Sequence, residues 1–405
     1  MESIKSIYKI GHGPSSSHTM APRRAAAIFL ARYPGAPHYK VTLYGSLAAT
    51  GLGHLTDITL KEAFTDHSFE LEMRPTEFMK KHSNAMRFEA FNTEGNVLHQ
   101  WIAYSIGGGD LDDDSGMHNP TAVYPSASME EILKWCYDGG KTLWEYVAEH
   151  EGDDLWEYLA EVWEVMQKSI KSGLKQEGAL PGVLKLQRKA PGYYARIKNY
   201  QGYIRKRTMV YAFALAVSEE NASGNRIVTA PTCGASGVLP AVLYQNKQVH
   251  KAPDERILKA LATAGLFGNI VRTKASISGA EVGCQGEVGT ACAMASAALA
   301  QLYGASIFQI EYAAEMGLEH HLGLTCDPIA GLVQIPCIER NALAASRALS
   351  HSDYSLLSDG RHLIGFDQVV QTMNQTGKDL PSLYKETSTG GLALFHGLNK
   401  SGRIK

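Results

Sequence analysis

The sequence predicts an α+β N-terminal domain, residues 1–128, followed by an all-α helical domain, residues 129–405. Segments with the composition of strands occur before residue 129, and apolar residues at three- and four-residue spacing dominate after it. An acidic segment with Gly, Pro and Ser, residues 107–128, lies between the two parts and is the best candidate for a linker. With 405 residues, 44% of them hydrophobic, the chain is long enough for two or three domains and a large buried core.

One helix and a small sheet are expected in the first domain. Because proline is tolerated only in the first turn of a helix, Pro22 predicts a helix that begins near Thr19. Residues 39–51 have the pattern of a strand that runs into a glycine-rich turn. Residues 87–109 have the pattern of two strands joined by the turn residues Asn-Thr-Glu-Gly-Asn.

Helices are expected throughout the second domain. Residues 129–174 have the apolar spacing of amphipathic helices. Residues 208–225 and 287–304 are rich in Ala and other small residues and lack β-branched runs, which favours helices that pack closely. Almost no alternation of period two follows residue 129, so this part is predicted to be all-helical.

Composition argues against several classes of protein. The net charge is -2 and the basic residues are spread along the chain, unlike the basic stripe of a nucleic-acid binder. The N-terminus lacks the features of a signal peptide, and no apolar stretch approaches the ~20 residues that cross a bilayer. We therefore expect a cytoplasmic chain with no membrane or nucleic-acid partner, whose six cysteines form no disulfide framework.

Three of those cysteines have the surroundings of metal ligands. A single cysteine is more often a small buried hydrophobe, and we assign that role to Cys136 and Cys292. Cys284, Cys326 and Cys337 instead lie at breaks marked by Gly or Pro beside helices, where a turn can aim a side chain into a cleft. Their spacing excludes paired zinc-ribbon motifs but suits an iron–sulfur cluster in which one iron lacks a protein thiolate and can act as a Lewis acid.

The stretch GPSSSHTMAPRR near the N-terminus has the features of an anion site. Helix N-termini present unpaired N–H groups, and Ser15, Ser16, Ser17 and Thr19 add hydroxyl donors for a carboxylate or phosphate. A simple N-cap with exposed serines explains the segment equally well. A P-loop is excluded because its Gly-Lys-Ser/Thr signature is missing.

A lone histidine on the surface is more often inert than catalytic. Three histidines that are each flanked by turn residues are better candidates for acid–base chemistry. They are His18, His54 and His82. The amide and backbone donors expected to bind polar groups of a substrate are those of Asn84, Gly107 and Gly108.

These motifs resemble those of bacterial iron–sulfur L-serine dehydratases over nearly the whole chain. GPSSSHTMAP, LYGSLAATGLGHLTD, KHSNAMRF and YSIGGG are similar to motifs of their β domain. APTCGASGVLPAVL, GCQGEVGTACAMA, CDPIAGLVQIPCIERN and KETSTGGLA are similar to motifs of their α domain, here fused in the same chain. The resemblance implies an oxygen-sensitive [4Fe–4S] cluster held by Cys284, Cys326 and Cys337, and conversion of L-serine to pyruvate and ammonia without pyridoxal phosphate.

One position departs from the pattern of the family. The α-domain motif often reads Pro-Thr-Asn-Gly, whereas here Cys233 replaces the asparagine. A permanent thiolate on the open iron would block the substrate, so Cys233 is at most a doubtful fourth contact. No cysteine follows Cys337, so the C-terminal tail cannot supply that thiolate either.

The resemblance leads to a mechanism in which the open iron binds the hydroxyl of serine. His54 or His82 removes the α-proton with help from His18, and the segment Ser15–Thr19 holds the carboxylate. A homodimer is expected.

Three alternatives stay open. One is a pyridoxal-phosphate enzyme that uses Lys274, and another is a non-catalytic amino-acid sensor with a structural metal. The third is L-threonine or L-cysteine as the substrate, since an extra methyl or a sulfur changes the fit by only ~1–3 kcal/mol.

Overall fold

The computed structural model describes residues 1–117, 121–387 and 390–395. The helices and strands of the N-terminal part are β1 (Ile10–His12), α1 (Ala21–Arg32), β2 (His38–Tyr44), α2 (Gly45–Thr50), α3 (Thr56–Ala63), β3 (Phe69–Arg74), β4 (Ala85–Phe91), β5 (Val97–Ser105) and β6 (Leu111–Asp113).

Five of these strands form one sheet in the order β3-β2-β4-β5-β6. β2 and β3 are parallel and the other pairs are antiparallel, so the two predicted strands around Asn-Thr-Glu-Gly-Asn are confirmed as the hairpin β4–β5. Helix α1 packs on this hairpin and against α3, where Phe29 contacts Phe88 and Trp101. The sheet and its helices thus have a core of their own, separate from the helical core.

The second part is mostly helical, as predicted. Its elements are α4 (Met129–Gly139), α5 (Leu143–His150), α6 (Leu155–Gly173), α7 (Ala190–Ile197), α8 (Gly202–Ala222), β7 (Arg226–Val228), α9 (Val238–His250), α10 (Asp254–Lys274), α11 (Gly279–Val282), α12 (Thr290–Leu302), α13 (Ile307–Glu319), α14 (Cys337–Leu356), α15 (Phe366–Asp379) and α16 (Leu392–Phe395). Among the described residues after 128, the named strands are limited to the short β7. Within the described ranges, no helix combines the length and the apolar composition needed to cross a bilayer.

Helix α12 lies at the centre of this part, in contact with α9, α10, α13 and α14. Every residue from Thr290 to Ala300 is buried, because small side chains let the neighbouring helices approach closely. At the crossing with α13, a Cβ on Gly317 would lie 2.7 Å from the Cα of Ala293, so only glycine fits there.

Two expectations for the N-terminal part are wrong in detail. The first helix does not begin near Thr19 but with a π-helical turn, Ser16–Met20, that leads directly into α1. It begins earlier because the Ser15 side chain caps it by accepting a hydrogen bond from the backbone N–H of His18. The residues after β2 form α2 and not an open turn, and Gly45 supplies the positive φ of 53° at which the strand gives way to the helix.

The first residues of the chain pack into the helical core. Ile4, Ile7 and Tyr8 are buried there, and β1 pairs with β7 in antiparallel register. The chain therefore contributes to the helical core before it enters the sheet, and the proposed boundary at residue 128 stays a prediction.

Two contacts between the parts fix the region where the site lies. Asp110, after the hairpin, forms ion pairs with Lys9 and with Arg272 of α10, the latter at 2.7 Å. In the turn after α2, a Cβ on Gly53 would lie 2.5 Å from the carbonyl oxygen of Gly331, which belongs to the loop before α14. The backbones of the two parts thus meet with no room for a side chain.

Candidate functional site

Three thiols from the helical part line one cavity where the two parts meet. Cys284 lies between α11 and a π-helical turn, Cys326 lies in the loop after α13, and Cys337 is the first residue of α14. All three are buried. The other polar residues that line this cavity, here called the thiol cavity, are Ser15, Ser16, His54, Glu287 and Glu386.

Burial and a nearby guanidinium have opposite effects on the thiols. A hydrogen bond with Cys284 and burial raise the pKa of Cys326, and burial raises the pKa of Cys337. Arg340 of α14 lies beside Cys284 and Cys337 and lowers the pKa of the latter, which opposes the effect of burial. Its Nη1 also donates to the backbone oxygen of Thr325 at 2.6 Å. Binding of a metal or cluster would deprotonate the thiols and complete the charge balance.

This donor set suits an iron–sulfur centre. Thiolates are the soft ligands that such centres use, and three of them converge from separate segments. Gly279 keeps space beside them, because a Cβ there would lie 3.2 Å from Cys326 Sγ and 2.7 Å from Glu287 Oε2. The residues present therefore fit the cofactor that the sequence predicts.

A carboxylate that the sequence analysis missed lies among the thiols. Glu287 Oε2 is 3.8 Å from Cys284 Sγ and 3.9 Å from Cys326 Sγ. The hydroxyl of Thr232 donates to Glu287 Oε1 at 2.8 Å, and burial raises the pKa of Glu287. The thiol side of the cavity thus also has a carboxyl group whose oxygen atoms could act as metal ligands.

The serine-rich turn forms the facing wall, contributed by the N-terminal part. Ser15 and Ser16 line the thiol cavity. The Ser15 hydroxyl also accepts the backbone N–H of His18 at 3.1 Å, which fixes the start of the helical turn. Asn221 of α8 holds the chain just before this turn by donating to the backbone oxygen of Pro14 at 2.9 Å.

The hydroxyls of Ser17 and Thr19, also predicted as donors, form hydrogen bonds to the two histidines. Ser17 Oγ is hydrogen-bonded to His18 Nδ1 at 2.8 Å. Thr19 Oγ1 donates to the backbone oxygen of His54 at 2.7 Å, and Thr56 Oγ1 donates to that of His18 at 2.6 Å. Hydroxyl groups of this segment and of Thr56 therefore fix the two histidines relative to one another.

His18 and His54 form a buried pair of neutral imidazoles. Their ring centroids are 4.4 Å apart in an edge-to-face arrangement. Burial lowers the pKa of His18 to about 4, and burial together with His18 lowers the pKa of His54 well below 6.5. His54 Nδ1 is buried without a hydrogen-bond partner in the described chain. The next residue, Leu55, has a φ of 58°, an uncommon conformation for a residue other than glycine.

A second carboxylate missed from the sequence, in the segment after α15, lies beside this wall. Glu386 lies 3.5 Å from His18 Nδ1, and ligand atoms of Glu386, His18 and His54 all lie within 4.8 Å of one another. Glu386 reaches this position because its backbone N–H donates to the carbonyl of Cys326 at 2.8 Å.

His82 occupies a different place. Its Nε2 is 3.5 Å from Glu281 of α11, and its Nδ1 accepts the backbone N–H of Asn84 at 3.0 Å. Neither His82 nor Asn84 lines the thiol cavity. Both polar atoms of the Asn84 side chain are nevertheless buried without a partner in the described chain, which leaves its amide free for a ligand.

Gly107 and Gly108 contact the helical part next to α11. A Cβ on Gly107 would lie 3.2 Å from the Ser278 side chain, and one on Gly108 would lie 3.1 Å from Ile277. With φ values of 100° and 57°, these glycines form a turn against the segment that leads to Gly279.

The remaining candidates lie away from the thiol cavity. Cys233 Sγ faces Met20 Sδ at 3.3 Å, and burial raises the pKa of its thiol. Lys274, the candidate for a Schiff base, ends α10 and pairs with Asp367 at 3.2 Å. Cys136 and Cys292 are buried in the helical core, as predicted.

Local spacing carried a signal for two of the missed residues. Glu287 follows Cys284 by three positions and Arg340 follows Cys337 by three, and residues three apart lie on the same side of a helical turn. Glu386 carried no such signal, because only the fold brings its segment to Cys326.

The residues of the thiol cavity suit one class of protein. Thiols, which are soft metal ligands, lie on one wall and neutral imidazoles on the other, and these groups suit an enzyme that joins Lewis-acid chemistry to proton transfer. The family model for the serine dehydratase alpha chain matches residues 70–393, and the family model for the beta chain matches residues 3–62.

Curated relatives are similar in sequence over nearly their whole length. The L-serine dehydratase of Haemophilus influenzae is 38% identical over 450 residues, covering 97% of this chain and 99% of the relative. L-serine dehydratase 2 of Escherichia coli is 39% identical over 97% of this chain and 99% of the relative. The L-serine dehydratase of Mycobacterium bovis is 39% identical over 98% of each chain. The chain belongs to the serine dehydratase family.

Proposed function

We propose that this protein converts L-serine to pyruvate and ammonia with a [4Fe–4S] cluster held by Cys284, Cys326 and Cys337. The observation that supports this most directly is that three thiols and His54, with its unpartnered Nδ1, face the same cavity. When bound, such a cluster supplies an iron with an open position, which is a Lewis acid for the β-hydroxyl of the substrate.

The chain's own residues bind the substrate and move its proton. The hydroxyls of Ser15 and Ser16 and the N–H groups at the start of the helical turn bind the carboxylate. His54 takes the α-proton, and it is ready to do so because its imidazole is neutral at pH 7. His18, held by Ser17 and packed against His54, keeps that ring in place.

Removal of the α-proton leaves an electron pair that forms the Cα–Cβ double bond as the hydroxyl departs with a proton as water. The product, 2-aminoacrylate, tautomerises to an imine, and one water hydrolyses the imine to pyruvate and ammonia. The burial of the histidine pair keeps bulk water away from the proton transfer.

We assign the base to His54 and not to His82, because His54 lines the thiol cavity and His82 pairs with Glu281. The pyridoxal-phosphate alternative has less support, since Lys274 lies outside that cavity and pairs with Asp367. The expected homodimer and cytoplasmic location remain predictions.

The test is pyruvate formation from L-serine by protein reconstituted with iron and sulfide under anaerobic conditions, with L-threonine and L-cysteine assayed in parallel. We expect a brown protein that turns over L-serine and that loses both colour and activity in air. A colourless protein with undiminished activity in air would overturn the cluster mechanism. A brown protein that binds L-serine without turnover would favour a sensor.

A further inference from the structure

A carboxylate that has no Lys or Arg partner among the described residues lies on the wall of the thiol cavity. The Glu386 side chain is 10% exposed, and its residue has a φ of 55°, in the left-handed region. Its backbone N–H donates to the Cys326 carbonyl, and the Cys326 N–H donates to the Tyr384 carbonyl, both at 2.8 Å. These bonds keep the uncommon backbone conformation in place and hold the carboxylate in the cavity.

His18 is a poor counter-ion for this carboxylate. Both of its ring nitrogens have hydroxyl partners, Ser17 Oγ at 2.8 Å and Ser46 Oγ at 3.3 Å, whereas Glu386 is 3.5 Å away. Burial also keeps His18 neutral at pH 7, since its pKa is lowered to about 4. The pair therefore carries no opposite charges.

The other groups around Glu386 are acidic. Glu287 and the thiols of the three cysteines line the same cavity as Glu386. Within the described ranges, the Glu386 carboxylate accepts no hydrogen bond and has no Lys or Arg partner. A buried carboxylate in such surroundings is costly unless a cation pairs with it, so this part of the cavity favours a positively charged ligand.

We propose that the Glu386 carboxylate binds the α-ammonium group of the substrate and so selects amino acids over analogues without that group. This inference rests on the proposed function for the identity of the substrate. The serine turn then binds the carboxylate, Glu386 binds the ammonium, and His54 faces the α-hydrogen. Three different attachments to one carbon also explain a preference for one enantiomer.

The test compares two unreactive ligands that differ only in the ammonium group, L-alanine and propionate. Calorimetric titration of the anaerobic holoenzyme gives both dissociation constants without turnover. We expect Glu386→Gln to weaken the binding of L-alanine by about 10- to 100-fold, since hydrogen bonds between charged groups are among the strongest. The dissociation constant of propionate should change by less than about threefold, because propionate has no ammonium group to contact Glu386.

Kinetics on L-serine provide a second readout. Glu386→Gln should raise KM by more than it lowers kcat, and Glu386→Asp, which keeps the charge, should recover part of the loss. Glu339→Gln is the matched control, because Glu339 pairs with Lys189 on the surface. If Glu386→Gln does not fold, Glu386→Asp must still weaken L-alanine more than propionate.

Equal weakening of both ligands would overturn the proposal. So would a fall in kcat at constant KM with a shifted pH profile, which would make Glu386 a positioning residue for His18. The failure of the proposed function looks different: L-alanine binding would depend on Glu386 while L-serine gave no pyruvate.

Discussion

The two walls of the thiol cavity are built in different ways. On the helical side, Cys284 and Cys337 lie at the starts of helical segments and Cys326 lies in a loop, with the Arg340 guanidinium beside Cys284 and Cys337. On the N-terminal side, the histidines lie in turns, fixed by hydroxyl-to-carbonyl hydrogen bonds and by backbone in uncommon conformations. We propose a division of labour, with cofactor binding on the helical wall and proton transfer on the wall built from turns.

The largest effect is expected from the helical wall. Cys337→Ser should remove the cluster absorption and lower activity by about 1000-fold or more, because the cluster would be held by only these three thiolates. Absorption spectra and pyruvate assays under anaerobic conditions measure both. Cys136→Ser is the control, since Cys136 is a core thiol that donates to the Thr142 carbonyl at 3.6 Å. A Cys337→Ser enzyme with full colour would contradict this assignment.

The next effect separates the walls. His54→Asn should lower kcat by about 100- to 10,000-fold, the usual contribution of a general base, while the cluster absorption stays unchanged. His82→Asn should cost less, because His82 contacts Glu281 outside the thiol cavity. The assignment of the base is wrong if His82→Asn is the more damaging variant.

A smaller effect is expected from moving the walls apart. Gly53→Ala places a Cβ 2.5 Å from the Gly331 carbonyl, so one backbone must shift. We expect activity to fall by about 10- to 100-fold and stability by about 1–3 kcal/mol, with iron content unchanged. Gly192→Ala in α7 meets no atom within 4 Å and should leave activity unchanged. Equal behaviour of the two variants in kinetics and thermal unfolding would argue against close docking of the walls.

The smallest effect is a displaced pH profile. Protonation of His54 at low pH removes the base, and burial together with His18 lowers its pKa well below 6.5. The titratable groups beside it are His18 and Glu386. The acid limb of kcat/KM should therefore lie below pH 6.5, with activity at pH 6 close to the maximum. A limb at or above pH 6.5 that His54→Asn removes would show that the imidazole is not buried during catalysis.

Sequence reasoning found the parts of the site that carry local signals. Breaks marked by Gly and Pro pointed to the three cysteines, and turn residues pointed to His18, His54 and His82. The structure brings these residues close to one cavity, except His82. The helical part followed from the periodicity of apolar residues, and the hairpin followed from the turn residues between its strands.

What the sequence could not provide depends on contacts between distant segments. The place of Glu386 follows from backbone hydrogen bonds to Cys326, about 60 residues earlier in the chain. The packing of the first eight residues into the helical core follows from the pairing of β1 with β7, two strands of three residues each. Strands this short leave no periodic pattern to detect.

In the proposed mechanism, one wall holds the cofactor while the other moves the proton. The most direct test is the visible spectrum of anaerobic His54→Asn protein before and after L-serine is added, with pyruvate measured in the same sample. We expect a full cluster spectrum that L-serine perturbs, with almost no pyruvate formed. Loss of the spectrum in this variant, or pyruvate formation at the wild-type rate, would contradict it.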